Sequence, residues 1–291
     1  MTAEDFWSRH VFVLLSSDIV YRGRHGDLVR RLRDEGFPPV AARALQADPE
    51  LIDDLYSDLI AGQWQTWRYR LVDAVLGLGP TVALICRCDG RHAELAKLKG
   101  YQHPTDADLG TLRRDFDAIN SAMSVMHSSD GPEDSEREAA VFGLTPEHAG
   151  DPEQVAAEID QLCRLNTPGN PETRDFEQVL ASVRTRLVGA LWEELPAAVR
   201  QRFTAEFADT SQLGLPGSGD RLAALLGDRL TGDLADVVRC DFTPKWRDEL
   251  RMAWAEERLR RAGVVLDEWE RVVLGSSLHF PPLRASVEAA R

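Results

Sequence analysis

The chain has 291 residues, of which 43% are hydrophobic and 28% are charged, and its formal net charge is −14. This is an ordinary globular composition, and the length predicts two domains that each bury a core. The acidic excess is spread evenly along the chain, so we expect no binding to nucleic acid. The apolar runs are shorter than the about 18 residues of a membrane span, and the N-terminus lacks a signal-peptide pattern. We therefore expect a cytoplasmic protein that does not bind a membrane.

The first half of the chain alternates strand and helix patterns. Short β-branched, alternating or apolar segments predict strands at residues 10–15, 39–46, 80–88 and 123–127. Three- and four-residue apolar spacing predicts helices at residues 27–35, 49–76, 91–97 and 133–142. This order predicts an α+β domain that ends near residue 143.

His127 is the strongest candidate for chemistry. It ends an apolar run, Ser129 follows two positions later, and Glu138 follows eleven positions later. Imidazole is both basic and nucleophilic near neutral pH, and a nearby hydroxyl and carboxylate are suited to orient it. Taken alone, a histidine at a strand end is more often structural, so the sequence around it decides.

That surrounding sequence resembles the nucleoside diphosphate kinase family over residues 10–143. Five segments in the family's order carry the resemblance: the opening strand and turn at 12–26, Tyr56, the strand at 79–84, the stretch Gly110-Thr111-Leu112-Arg113-Arg114-Asp115-Phe116, and the segment that starts with His127-Ser128-Ser129-Asp130. The resemblance implies a ferredoxin-like α/β sandwich with His127 at a strand end in a cleft.

The resemblance also implies roles for individual residues. His127 is expected to carry a phosphoryl group taken from a nucleotide, Glu138 to orient its ring, and Ser129 to bind near that carboxylate. Tyr56 and Arg113 are expected to contact the phosphates or the region beside them. Mg²⁺ is expected to arrive with the nucleotide, without a metal site built by the protein. Family members usually form homo-oligomers, a state that additional residues can block.

Several family positions have changed in this chain. The lysine of the opening turn is Ser16, an expected arginine is Ala96, a threonine is Gln102 and an asparagine is Ser124. In the family an aromatic residue stacks on the base, and the resemblance implies Trp64 or Trp67 for this role, since about four extra residues follow Tyr56. We predict that the nucleotide contacts come from the following residues: Ser16, Tyr56, Trp64, Trp67, Gln102, Arg113 and Ser124.

The loss of two cations has a large expected cost. A charge-assisted hydrogen bond contributes about 1.5–3 kcal/mol, so two lost contacts remove about 3–6 kcal/mol of phosphate binding. His92 and Lys99 are the cations nearest the gap if residues 91–98 form a helix. A solvated surface position is the more ordinary placement for both.

The second half of the chain is predicted to be helical. Gly and Pro residues at 144–151 predict a linker, and a helical domain of unknown role is predicted at 152–291. Its helices are predicted at residues 152–165, 172–195, 197–208, 220–230, 244–262 and 266–274. The glycine-rich residues 215–220 before a helix favour an ordinary loop over an anion-binding turn. Four cysteines without zinc-ligand spacing, Cys86, Cys88, Cys163 and Cys240, predict reduced structural thiols.

Three functional hypotheses follow. The leading one is a diverged, nucleotide-dependent phosphotransferase that uses a phosphohistidine on His127. The second is a catalytically inactive nucleotide-binding or scaffolding protein. It is favoured by the four changed family positions, Ser16, Ala96, Gln102 and Ser124. The third is a repurposed biosynthetic enzyme that acts on a nucleotide-like metabolite. The sequence leaves the substrate, the phosphoryl acceptor and the assembly state open.

Overall fold

The computed structural model divides the chain into two units, Met1–Thr173 and Arg174–Arg291. It describes residues 2–57, 61, 69–166, 174–230, 232–243, 246 and 251–288. The division falls later than the linker predicted at 144–151. The helix that follows that linker accounts for the difference, because it packs in the core of the first unit.

A four-stranded antiparallel sheet organises the first unit. Its strands are β1 (His10–Leu15), β2 (Pro39–Leu45), β3 (Thr81–Arg87) and β4 (Met126–Ser128), in the spatial order β2-β3-β1-β4. The central strand β1 pairs with β3 on one side and β4 on the other. This sheet, covered by helices, confirms the ferredoxin-like prediction.

Both faces of the sheet are buried, because successive side chains of a strand point to opposite faces. Val11, Val13 and Leu15 of β1 belong to one apolar cluster, whereas Phe12 and Leu14 belong to another. Strand β1 therefore reads as a continuous hydrophobic run and separates two helical layers.

Side-chain caps mark the start of some helices of the first unit. For example, the Asp48 side chain accepts a hydrogen bond from the Leu51 amide at 2.8 Å, and Pro49 occupies the first helical turn. The helices are α1 (Ala3–Trp7), α2 (Ser17–Tyr21), α3 (His25–Asp34), α4 (Pro49–Leu55), α5 (Tyr69–Leu76), α6 (His92–Lys99), α7 (Leu112–Asp115), α8 (Pro132–Val141) and α9 (Pro152–Asn166).

Helix α9 is part of the first core. Val155, Ile159 and Cys163 recur every four residues and are buried in the cluster that contains alternate side chains of β1. The preceding segment is also fixed to the sheet, because the Gly150 amide donates to the Val40 carbonyl at 2.7 Å. The glycines and prolines at 144–151 therefore mark a loop within the first unit.

The second unit is helical, as predicted. Its described helices are α10 (Phe176–Leu191), α11 (Ala197–Glu206), α12 (Ser218–Leu226), α13 (Asp233–Arg239), α14 (Met252–Arg261), α15 (Glu268–Ser277) and α16 (Ala285–Glu288). Among the described residues, no helix of either unit is long and apolar enough to span a lipid bilayer.

Buried polar groups organise the second unit. Arg184 is 3% exposed, and its guanidinium donates to the carbonyls of Leu213, Val238 and Cys240 and to the Ser218 hydroxyl. Ser218 itself donates to the carbonyl of Leu213. The turn at residues 215–220 is thus an internal structural connection, in agreement with the ordinary loop that the sequence favours.

The four cysteines, all among the described residues, form no disulfide and are buried. Burial raises the pKa of Cys163 in α9 and that of Cys240 in the second unit to about 12, and it also raises the pKa values of Cys86 and Cys88. At neutral pH these thiols are therefore protonated, as expected for structural cysteines.

Candidate functional site

Strand β4 presents His127 at the edge of the sheet. Met126 and Ser128 are buried, whereas the intervening His127 side chain is 28% exposed. The strand follows a turn in which the Asn120 side chain accepts hydrogen bonds from the amides of Ala122 and Met123. Val125, directly before the strand, has a φ of 75°. Positive φ is unfavourable for a β-branched residue, and such backbone strain is concentrated at functional sites.

Glu138 of helix α8 collects the hydrogen bonds around His127. The imidazole Nε2 donates to the Glu138 carboxylate at 2.7 Å, and the Ser129 hydroxyl donates to the same oxygen at 2.6 Å. Arg137 donates to the other oxygen at 3.2 Å. Burial raises the pKa of Glu138, but the hydrogen bonds and charges of these neighbours outweigh it, so the pKa lies below its ordinary value.

This arrangement selects one tautomer of His127. An ionised carboxylate only accepts hydrogen bonds, so the ring proton lies on Nε2 and the lone pair lies on Nδ1. In the described part of the chain, no hydrogen bond engages Nδ1. The ring nitrogen available to a reaction partner is therefore Nδ1.

His127 lines a cleft of about 900 Å³, a volume suited to a nucleotide-sized ligand. The cleft also contains four of the residues predicted to bind nucleotide: Tyr56, Gln102, Arg113 and Ser124. The Tyr56 ring lies edge-on to the His127 ring, with centroids 6.3 Å apart. Tyr56 reaches this place because it caps the C-terminal end of α4.

Two buried cations line the same cleft, Arg113 and Lys99. Arg113 donates to the Gly100 carbonyl at 2.9 Å, and burial lowers its pKa to about 10. The Lys99 ammonium donates to the Ser128 carbonyl at 3.1 Å. Burial and the charge of Arg113 lower the pKa of Lys99 to about 8, although Asp130 and Glu138 oppose the shift.

The prediction that Lys99 is a solvated surface residue is wrong, because its side chain is buried. His92, Leu95 and Lys99 lie at positions i, i+3 and i+7 of α6 and form its buried face. That spacing is visible in the sequence and was the signal available for finding Lys99. His92 is buried as well, but its Nε2 contacts the His10 carbonyl at 3.1 Å, and it does not line the cleft.

Gly100 fixes the end of α6 directly beyond Lys99. Its φ is 89°, and a Cβ added there would lie 2.6 Å from the Thr111 hydroxyl oxygen. Only glycine fits this combination of left-handed backbone and close approach. The glycine therefore sets both the exit from α6 and the carbonyl that Arg113 binds.

Ser16 does not line the cleft in the part of the chain that the structure describes. Its amide donates to the Val125 carbonyl at 3.1 Å, where Ser16 precedes helix α2. The short serine side chain stays at this turn, so the prediction that Ser16 contacts the nucleotide is not supported by the lining of the cleft. Ala96 does line the cleft. Trp64 and Trp67 lie outside the described residues.

Three carboxylates, of Asp106, Asp108 and Asp130, also line the cleft and are exposed. In the described ranges, no cluster of three His, Cys, Asp or Glu side chains is arranged to hold a metal ion. Mg²⁺ is usually bound by one or two carboxylates together with substrate phosphates and water. The donor set fits magnesium that arrives bound to a nucleotide.

Comparisons with known proteins give the family to which the first part of the chain is similar. The family model for nucleoside diphosphate kinase matches residues 9–145, which confirms the resemblance inferred for 10–143. A nucleoside diphosphate kinase of Listeria monocytogenes is 31% identical over 131 residues, which span 45% of this chain and 86% of the relative. The enzyme of Methanothermobacter thermautotrophicus is 32% identical and covered to 84%.

Solved structures of the same family are also similar to the chain. One is the enzyme of Halobacterium salinarum in complex with CDP, with 25% identity, a TM-score of 0.44, and coverage of 52% of this chain and 97% of that one. Another is the enzyme of Borrelia burgdorferi with bound vanadate and ADP, with 23% identity, a TM-score of 0.45, and coverage of 49% and 90%. On the sequence relationship over residues 9–145, the chain belongs to the nucleoside diphosphate kinase family.

Proposed function

We propose that the chain is a diverged phosphotransferase that forms a phosphohistidine on His127. Nδ1 attacks the terminal phosphorus of a nucleoside triphosphate, and the bond to the bridging oxygen breaks, so the electron pair leaves with the diphosphate. The phosphoryl group then passes to an acceptor oxygen, and the imidazole is regenerated. The observation that carries the proposal is the Nε2 hydrogen bond to Glu138 at 2.7 Å, which leaves the Nδ1 lone pair available.

The surrounding residues support this chemistry in different ways. Glu138 stabilises the positive charge that develops on the ring, and Ser129 holds the carboxylate in place. Tyr56, Gln102, Arg113 and Ser124 bind the nucleotide along the cleft. The carboxylates of Asp106, Asp108 and Asp130 would supply oxygen ligands to a magnesium ion that arrives with the nucleotide, and such an ion would neutralise phosphate charge. The cytoplasmic location and the homo-oligomer stay predictions.

Labelling with γ-phosphate-labelled ATP tests the phosphohistidine. We expect an acid-labile label on the wild-type protein and none on His127→Ala. His103→Ala is the matched control, because His103 lies in the neighbouring loop with its Nδ1 already engaged by Ser121 at 2.5 Å. Its label should match that of the wild type. An unlabelled wild-type protein, or equal labelling of His127→Ala, rules the proposal out.

The second candidate function is nucleotide binding without catalysis. It is favoured by Ala96, which lines the cleft at a position where the family resemblance implies a cation. In that case ATP and ADP bind, their affinities are unchanged in His127→Ala, and no label forms. Calorimetry with both nucleotides separates the two functions. The repurposed biosynthetic enzyme stays a prediction that a substrate screen tests.

A further inference from the structure

We infer that Lys99 is a phosphate-binding residue that restores, from a different position, cationic charge that this cleft lacks at Ser16 and Ala96. The inference rests on the proposed use of a nucleotide. It assigns the ligand contact to the last residue of α6, beside the strand that carries His127.

The first argument is the direction of the lysine side chain. Lys99 shares the buried face of α6 with Leu95, which belongs to the sheet core, so its aliphatic part is packed. Its ammonium reaches the carbonyl of Ser128, the neighbour of His127, at 3.1 Å. An ammonium has three N–H donors, and this contact uses one. Two donors remain for oxygens of a ligand in the cleft that Lys99 lines.

The second argument is a missing counter-charge. Lys99 and Arg113 are 9% and 7% exposed. Within the described ranges, neither forms an ion pair with a carboxylate, and their hydrogen bonds go to backbone carbonyls. Buried charges in proteins are normally paired, because desolvation without a partner is costly. Two adjacent buried cations therefore favour an anion with several negative charges.

The chemical class of that anion follows from the position of the pair. The cleft is large enough for a nucleotide, and both cations lie close to the strand of His127. The terminal phosphates of a nucleoside diphosphate or triphosphate carry the required charge, whereas a nucleoside carries none. The cation pair should therefore contribute to di- and triphosphate affinity and leave nucleoside affinity unchanged.

A pH dependence supports the assignment. Burial and Arg113 lower the pKa of Lys99 to about 8, and Asp130 and Glu138 oppose this. A lysine is charged below its pKa and neutral above it, so the ligand-free site holds the full cation at pH 7 and loses it toward pH 9. The other charged or titratable residues that line the cleft are Tyr56, Lys97, Tyr101, Asp106, Asp108 and His127.

The test compares Lys99→Met, Lys99→Arg and Lys97→Met by calorimetry with ADP, ATP and adenosine. Lys97 is the matched control because it lines the same cleft and is exposed. We expect Lys99→Met to weaken ADP and ATP binding about 10- to 100-fold at pH 7, as for a lost charge-assisted hydrogen bond, with adenosine unaffected. Lys97→Met should change each affinity by less than about threefold.

The arginine variant separates charge from packing. Arginine stays protonated to high pH, so ADP affinity of Lys99→Arg should not fall between pH 7 and 9, whereas that of the wild type should fall. Thermal unfolding shows whether each variant is folded. If Lys99→Met is unfolded, the arginine variant and the pH profile of the wild type still test the role of Lys99.

The outcomes distinguish this inference from the proposed function. Equal ADP affinity of Lys99→Met and wild type, a wild-type affinity that does not fall toward pH 9, or a wild type that binds no nucleotide overturns the role of Lys99. A wild type that binds ADP through Lys99 but forms no acid-labile label overturns the phosphohistidine and leaves Lys99 as a phosphate-binding residue.

Discussion

Glu138 is the residue on which the geometry of His127 depends. One of its oxygens accepts from both His127 and Ser129, and the other accepts from Arg137. Because the acceptor is anionic and buried, it fixes the ring tautomer and stabilises charge on the imidazole at the same time. The two effects predict different consequences, one for the rate and one for stability.

Glu138→Gln should slow phosphorylation of His127 about 10- to 100-fold while nucleotide affinity stays within about twofold. The amide retains an acceptor oxygen but loses the charge that stabilises the developing imidazolium. Rapid-quench labelling with γ-labelled ATP measures the rate, and calorimetry measures the affinity. Glu136→Gln is the control, because Glu136 lies on the same helix and is exposed. Similar rates in the two variants contradict this role for the carboxylate.

The same carboxylate should give a pH-dependent stability. The folded-state pKa of Glu138 is lowered, so its stabilisation is present above the unfolded pKa of about 4.5 and is lost as the pH falls through the folded value. At pH 7 we expect Glu138→Gln to reduce the free energy of unfolding by about 1–3 kcal/mol. Urea titrations should show this difference at pH 7 and a smaller one near pH 3. A difference that is constant with pH excludes the ionised carboxylate as its source.

The site illustrates what a single sequence reveals at the residue scale. His127, Ser129 and Glu138 are close in sequence, and their spacing matches a segment of the nucleoside diphosphate kinase family. Their grouping at one site was therefore predictable from the sequence. Lys99 differs, because an ammonium becomes buried only when α6 packs on the sheet and Gly100 turns the chain. The charge deficit at Ser16 and Ala96 was predictable from the sequence, and so was the helical face that Lys99 shares with Leu95. The packing that brings the ammonium beside the strand of His127 was not.

At the scale of the elements, α9 shows where composition misleads. Gly150 and Pro152 resemble a linker, but such residues mark local turns and not the limits of a core. The helix beyond them places Val155, Ile159 and Cys163 in the cluster that contains β1. Strands β1 and β3 were easier to predict, since both are short continuous apolar runs. Strand β4 begins three residues later than predicted, at Met126 instead of residue 123.

Ile159→Ala should destabilise the first unit by about 2–4 kcal/mol, because Ile159 is 1% exposed and the substitution leaves a cavity. Leu165→Ala on the same helix is the control, since Leu165 is 74% exposed, and it should change stability by less than about 0.5 kcal/mol. Urea unfolding monitored by circular dichroism measures both. Equal effects of the two substitutions are incompatible with α9 as a core helix.

At the scale of the whole molecule, each unit has the internal contacts of a separate folding domain. The first has a sheet with two apolar clusters, and the second has helices around Arg184 and the buried Glu270, which binds Arg174 and Arg186. We expect chains of residues 1–173 and 174–291 to unfold cooperatively when produced alone. A chain that ends at residue 151 should be less stable than 1–173, because it lacks α9. Calorimetry of the three chains measures this, and equal melting temperatures for 1–151 and 1–173 contradict the boundary.

The positions of the cysteine thiols allow the opening of each unit to be followed separately by chemical labelling. Three of the thiols lie in the first unit, and the fourth, that of Cys240, lies in the second. A thiol-reactive reagent cannot reach a buried cysteine while its unit is closed, and it reacts when the unit opens. Peptide mapping of the adducts therefore gives the opening rate of each unit from one sample of the wild-type protein. A nucleotide that binds the first unit should slow adduct formation at Cys86, Cys88 and Cys163. The labelling rate of Cys240 in the second unit is the internal reference.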